Sequence, residues 1–196
     1  MKIALAQMDV VPNNPEQNVS RMLSMIDEAK SNNVDLIAFP EMCVGGYLVG
    51  DKWQEDRFCQ NLMNFNEDIR DASEGIAVAY GNIFVFNEKH AGSIAEGFHP
   101  NKDGRSRKFN AVYIFQDGKP VKRKNSTSCL PDGVQPKLLL PNYRFFDDQR
   151  YFFSLKDHAE DFGVSLESLM QPLMINVNGE DIPIGFETCE DLWCED

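Results

Sequence analysis

Val34-Asp35-Leu36-Ile37-Ala38-Phe39-Pro40-Glu41-Met42 is the stretch on which the fold turns. Residues 34–39 are an apolar run of strand length, and Pro40 ends it because proline has no N–H to give to a sheet ladder. Glu41 is thereby left at the carboxyl edge of a strand, where open α/β sheets gather their ligands. Upstream, residues 2–8 form a short apolar run that reads as the first strand. A helix separates the two: Asn14 is placed to cap it, Pro15 takes the first helical position and Gln17 the third, and Val19, Met22, Leu23, Ile26 and Ala29 recur at helical spacing. Strand, one-faced helix and strand make a unit that lays a helix on a sheet.

Downstream the alternation continues. A second helix is expected from Asp51, with Gln54 three positions on and Phe58, Leu62, Phe65, Ile69 and Ala72 along one stripe. Residues 76–86 form a nearly continuous β-rich run, and residues 110–115 followed by Gly118 read as a strand leaving through a turn. The polar segment 119–136, with Lys122, Arg123, Lys124, Asn125, Ser126 and Asp132-Gly133, reads as a solvated loop. Residues 154–162 suit a short helix capped by Ser154. Asn178-Gly179 between residues 173–177 and 182–186 is the strongest two-residue hairpin signal. This order is that of an α/β protein, with no internal repeat and no linker dividing residues 1–196.

Composition narrows the function classes. A hydrophobic content of 42% with 26% charged residues suits an ordinary globular domain with a real core. The net charge of -12 and pI near 4.7 argue against a nucleic-acid partner, which needs clustered Lys and Arg. No run approaches the roughly 18 apolar residues of a membrane helix. Cys43, Cys59, Cys129, Cys189 and Cys194 are an odd set without metal-type spacing, which fits a reducing cytoplasm. His90, His99 and His158 stand far apart and read as surface residues. The acidic run Glu187, Glu190, Asp191, Glu195 and Asp196 lacks the spaced loop of a hard-cation site, so no metal is assigned.

Two further stretches place a reactive side chain as the first does: Lys137 opens Lys137-Leu138-Leu139-Leu140-Pro141-Asn142-Tyr143, and Cys189 lies in Thr188-Cys189-Glu190-Asp191-Leu192-Trp193. Taken singly, Glu41 reads as a surface carboxylate and Lys137 as a solvated lysine. Cys189 stands out more, since it follows a hairpin arm and precedes a polar run, a placement that lifts a side chain out of a sheet. A carboxylate, an ammonium and a thiol are together the minimum for cysteine acyl transfer: a thiol needs a base, and the developing oxyanion needs a positive donor.

In this order the three resemble the Glu-Lys-Cys triad of the nitrilase superfamily of carbon-nitrogen hydrolases. The run Lys-x-x-Leu-Pro-Asn-Tyr-x-x-Phe-Asp-x-x-Arg-Tyr-Phe, from Lys137 to Phe152, followed by Cys-Glu-Asp-Leu-Trp from Cys189, is most similar to the glutaminase domains of glutamine-dependent NAD synthetases. The resemblance selects Cys189 and leaves Cys194 outside the motif. It implies an α-β-β-α sandwich of two sheets that continues beyond the nucleophile. Residues 1–196 are then expected to be the N-terminal part of a glutaminase domain, incomplete at its C-terminus and without the synthetase domain.

The implied chemistry has Glu41 as general base, Cys189 as nucleophile on the side-chain amide of glutamine, and Lys137 with the Glu190 N–H on the oxyanion. Tyr143, Asp148 and Glu190 are implied to face the substrate. Asp148 stands where the family usually has a glutamate, one methylene longer. No cofactor is expected in this chain, ATP and Mg²⁺ belonging to the synthetase domain. That domain, normally covalently linked, and further copies of the complete protein are the expected partners. Two other readings stay open: a stand-alone nitrilase-type amidase acting on another small amide, and a catalytically silent truncated fragment.

Overall fold

The first helix begins where its cap places it. Asn14 accepts the Gln17 N–H at 3.3 Å, Pro15 opens α1 (Pro15–Ser31), and Val19, Met22, Ile26 and Ala29 are buried along one stripe. The computed structural model describes residues 1–86, 104–125, 127 and 129–193. The readings made on His90, His99, Ser126, Cys194, Glu195 and Asp196 lie outside the described residues.

β1 (Ile3–Leu5), β2 (Leu36–Ala38) and β3 (Ala77–Phe86) run parallel, and β4 (Arg107–Gln116) pairs antiparallel with β3 over its whole length. Both β5 (Lys119–Pro120) and β6 (Val134–Pro136) pair antiparallel with β4, which completes a six-stranded sheet. α2 (Asp56–Ala72) presents Cys59, Leu62 and Ile69 to the same face as α1. Fully burying a Leu or Ile side chain contributes about 1.5–3 kcal/mol, so a helix with two or three such contacts is held by packing and not by propensity.

Period-2 alternation over residues 77–80 of β3 assigns the layers. Val78 and Tyr80 point into the core shared with the helices, whereas Ala77 and Ala79 join Leu36 and Ile114 against Leu173, Ile175 and Val177 of β7 (Leu173–Val177). β7 and β8 (Glu180–Ile184) form a hairpin on the face opposite the helices. The layers are therefore helices, six-stranded sheet and two-stranded sheet, in the α/β arrangement expected of a nitrilase-type sandwich. α3 (Asp148–Tyr151), α4 (Leu155–Phe162) and α5 (Leu166–Leu169) lie between β6 and the hairpin in sequence.

Four sequence readings need correction. The helix expected from Asp51 starts at Asp56: residues Gly50–Gln54 are a 3₁₀ turn and Glu55 is extended, because the chain bends to bury Trp53, whose indole N–H donates to the Tyr47 carbonyl at 3.1 Å. The segment 119–136 is not a free loop, since β5 and β6 join the sheet and Val121, Cys129, Leu130 and Val134 are buried. Arg123 within it is buried too and donates to Gln135 Oε1 at 2.9 Å and to the Val134 carbonyl, while desolvation pushes its guanidinium down to about 10. The second hairpin strand begins at Glu180 rather than residue 182, because a two-residue turn with Asn178 at φ 54° and Gly179 at φ 85° fixes Val177 opposite Glu180. Last, His158 is fully buried, not on the surface. Its ring packs against Phe86 and Phe109, Nε2 lies 3.0 Å from the Cys129 carbonyl, and burial lowers its pKa to about 4.

Candidate active site

Glu41 reaches the site because the chain leaving β2 stays paired with β3. The Phe39 N–H donates to Ala79 O at 2.8 Å and the Gly81 N–H to Pro40 O at 3.2 Å, so the pairing with β3 continues through Pro40, and the backbone of Glu41 then lies against Gly81. The loop is then tied down, with Gly46 N–H on Met42 O at 2.8 Å and the buried Asn18 side chain donating to Val44 O at 3.0 Å. A carboxylate on so fixed a backbone is pre-positioned, which a reacting group requires.

Lys137 arrives from the other side. It follows β6, and its N–H continues the pairing with β4 by donating to Asn110 O at 2.8 Å. This sets the lysine beside the Asn110 and Glu41 side chains. Lys137 Nζ lies 2.7 Å from Glu41 Oε1, and the lysine side chain has 0% exposure. An ammonium so buried costs several kcal/mol unless it is paired, and Glu41 provides the pairing. A second carboxylate, Asp148 at the start of α3, stands with Oδ2 3.6 Å from Nζ. The shorter side chain thus still reaches the lysine's surroundings. Burial raises the Asp148 pKa above the ordinary carboxyl value, with the Tyr47 hydrogen bond and Lys137 opposing that rise.

Two members of this network were not singled out from the sequence. Asn110 donates through Nδ2 to Glu41 Oε1 at 2.6 Å, so one oxygen of Glu41 takes two donors. The Tyr47 hydroxyl donates to Asp148 Oδ1 at 2.6 Å, and the Tyr47 ring centroid is 5.8 Å from Lys137 Nζ. Asn110 did carry a signal: a polar side chain within the buried run Phe109-Asn110-Ala111 must find a partner. Tyr47, just after Gly45-Gly46, carried none.

Cys189 comes from the other layer, on the chain leaving β8. It opens a 3₁₀ turn (Cys189–Trp193) with φ at 53°, a left-handed conformation that a non-glycine residue adopts only when its surroundings demand it. Its side chain is exposed, yet it lines one cavity of about 190 Å³ together with Glu41, Gly81, Asn110, Phe186 and Thr188. The thiol pKa is raised by burial and then by the Glu41 charge, while Lys137 and a hydrogen bond from the Glu190 backbone oppose the rise. Glu41 and Cys189 thus line one cavity, and the charges of Glu41 and Lys137 both act on the thiol. Tyr143 and Glu190 also come together, the phenol donating to Oε2 at 2.8 Å on the exposed side.

A cavity lined by a thiol and by a carboxylate whose own partner is a buried lysine belongs to a recognisable class. The chain is a member of the carbon-nitrogen hydrolase family, whose model matches residues 2–195. Among its relatives, the glutamine-dependent NAD(+) synthetase of Acinetobacter baylyi is 27% identical over 192 residues, 98% of this chain and 27% of that protein. The structure of glutamine-dependent NAD+ synthetase from Acinetobacter baumannii in complex with adenosine diphosphate superposes with a TM-score of 0.62 at 24% identity, covering 97% of this chain and 28% of that one. An amidase from Nesterenkonia sp. shares the fold with a TM-score of 0.55 at 15% identity, over 92% of this chain and 53% of the amidase. This chain spans about a quarter of the length of the curated synthetases it matches. Among the described residues, no helix is long and apolar enough to cross a membrane.

Proposed function

We propose that this chain hydrolyses the side-chain amide of glutamine as the glutaminase part of a glutamine-dependent NAD synthetase, and that the ammonia released serves a synthetase part that uses ATP and Mg²⁺. The observation that carries the reading is the contact of Lys137 Nζ with Glu41 Oε1 at 2.7 Å, at the cavity that Glu41 shares with Cys189. Glu41 takes the thiol proton as the Cys189 sulfur attacks the amide carbon, and the carbonyl oxygen becomes an oxyanion facing Lys137 Nζ and the Glu190 N–H. When the C–N bond breaks, Glu41 returns that proton to the departing nitrogen and ammonia leaves. A γ-glutamyl thioester remains. Water then gives a proton to Glu41 and attacks the thioester, so that glutamate departs and the thiol is restored.

Electrostatics support this division of labour. With its pKa raised, Cys189 rests as a thiol and needs a base at the moment of attack, which the paired Glu41 supplies. Removing one oxyanion donor typically costs about 2.7–4 kcal/mol in the barrier, so Lys137→Ala is expected to lower turnover by about 10²–10³-fold. Tyr143 and Glu190, at the outer edge of the turn, are assigned to hold the amino-acid end of the substrate, and Asp148 to hold Lys137 in place.

The test incubates the chain with glutamine and with a panel of small amides, measures ammonia, and traps the acyl-enzyme for mass spectrometry. Glutamine as the preferred substrate and a γ-glutamyl adduct on Cys189, absent in Cys189→Ala, are the expected results. Faster hydrolysis of a simple aliphatic amide would move the assignment to a stand-alone amidase, and no adduct with any amide would remove the enzymatic reading.

A further inference from the structure

Asp191 lies two residues beyond Cys189 and directs its carboxylate away from solvent, onto the backbone of two separate segments. Oδ1 accepts the N–H groups of Leu138 at 3.1 Å and Leu139 at 2.8 Å, while Oδ2 accepts the N–H of Thr188 at 3.1 Å. Leu138 and Leu139 directly follow Lys137, and Thr188 directly precedes Cys189. The Asp191 N–H closes the same turn onto Thr188 O at 3.1 Å. One side chain thus fastens the backbone beside the lysine to the backbone beside the thiol, across 53 residues of sequence.

The need for such a fastening follows from the layers. Lys137 is fixed by the six-stranded sheet through Asn110, but Cys189 comes from the hairpin layer, on an arm whose residues are half-buried or exposed. A further hydrogen bond from this turn to the lysine segment, Tyr143 to Glu190, lies on the exposed side and so is weak against water. Hydrogen bonds to a charged carboxylate are stronger than neutral ones, so three on a half-buried carboxylate outweigh that surface contact. The left-handed backbone of Cys189 also needs an external constraint to persist.

We propose that Asp191 is a positioning residue that sets Cys189 against the Lys137–Glu41 pair, acting through Thr188 on one side and Leu138 and Leu139 on the other. The proposal rests on the assignment of Cys189 as nucleophile. An asparagine at 191 keeps size and shape but turns one oxygen into a donor. Whichever way its amide faces, a donor meets a backbone N–H on one side and the bridge is cut.

The experiment compares Asp191→Asn with the unsubstituted chain, both in a Cys194→Ser background. It measures glutamine turnover, thermal melting, and the pH dependence of Cys189 alkylation by iodoacetamide, read by peptide mass mapping. Turnover is expected to fall about 100-fold in kcat with KM within about threefold, the range associated with displacement of a reacting group by roughly 1 Å. The alkylation midpoint is expected to move down, toward that of an ordinary thiol, because the released turn leaves the burial and the Glu41 charge that raise it. An unchanged midpoint, with turnover unchanged or lost only in proportion to melting, overturns the proposal. Should Asp191→Asn not fold, hydrogen exchange in the unsubstituted chain decides: the Leu138, Leu139 and Thr188 amides are expected to be protected, and free exchange of any of them refutes the bridge. If the unsubstituted chain hydrolyses no amide, the functional reading fails, while the alkylation midpoint still judges Asp191.

Discussion

Gly81 lies under the backbone of Glu41, so close that a methyl group at position 81 would stand 2.7 Å from the Glu41 Cα and 2.2 Å from the Met42 nitrogen. The obstacle is backbone, which cannot rotate aside as a side chain can. Gly81→Ala is therefore expected to lift the Glu41 segment off β3, lowering kcat by about 100-fold and stability by about 1–3 kcal/mol. Gly45→Ala is the comparison, since a methyl there meets the Leu62 side chain at 2.7 Å, which can repack. It should lower the melting temperature with little effect on kcat. Full activity in Gly81→Ala would show that the close approach at Gly81 is not what places Glu41.

The sequence disclosed the elements that rest on local rules. Asn14 and Ser154 cap their helices as read, and Asn178-Gly179 turns the hairpin, because caps and tight turns depend on a few adjacent residues. Tertiary packing decided the rest. The bend that delays α2 to Asp56 exists to bury Trp53, and Arg123 is buried because its segment adds strands to β4, neither of which a polar stretch reveals. At the site, the motifs drew attention to Glu41, Lys137 and Cys189, of which Glu41 pairs with Lys137 and shares a cavity with Cys189. Asn110, Tyr47 and Asp191 were missed in these roles because they act on other site groups across 53 to 101 residues, a relation that spacing along the chain does not encode.

Asp148 has an unused oxygen. Oδ1 accepts the Tyr47 hydroxyl at 2.6 Å, but Oδ2 is buried without a hydrogen-bond donor and stops 3.6 Å from Lys137 Nζ. One more methylene can close that gap, so Asp148→Glu is expected to hold kcat within about threefold or raise it, the insertion in a packed site costing about 1–3 kcal/mol of stability. Asp148→Asn should act oppositely. It removes a negative charge beside a buried ammonium and sets an amide donor against it, and kcat is expected to fall at least about tenfold, on the scale of a lost charged hydrogen bond. Steady-state kinetics on both variants, with melting curves, separate these outcomes. A loss in the glutamate variant equal to that in the asparagine variant would mean that shape at this position matters more than charge.

Glu41→Gln makes the sharpest separation, because it should change thiol ionisation and turnover in opposite directions. The Cys189 pKa is raised first by burial and second by the negative charge of Glu41, while Lys137 lowers it. Neutralising Glu41 removes the second cause and leaves Lys137 without its close counter-charge, so both effects bring the Cys189 titration down. At a fixed pH below the midpoint the thiolate fraction rises, and alkylation of Cys189 by iodoacetamide is expected to become faster, with its pH profile displaced to lower values. Turnover moves the other way, since no base remains to receive the thiol proton or return it to the leaving nitrogen, and a fall of about 10²–10⁴-fold is expected. Alkylation profiles from pH 6 to 11, taken beside glutamine assays on the same preparations, give both readings. A midpoint that stays in place or moves upward would mean that the Glu41 charge does not act on the thiol, and the base assignment would fail.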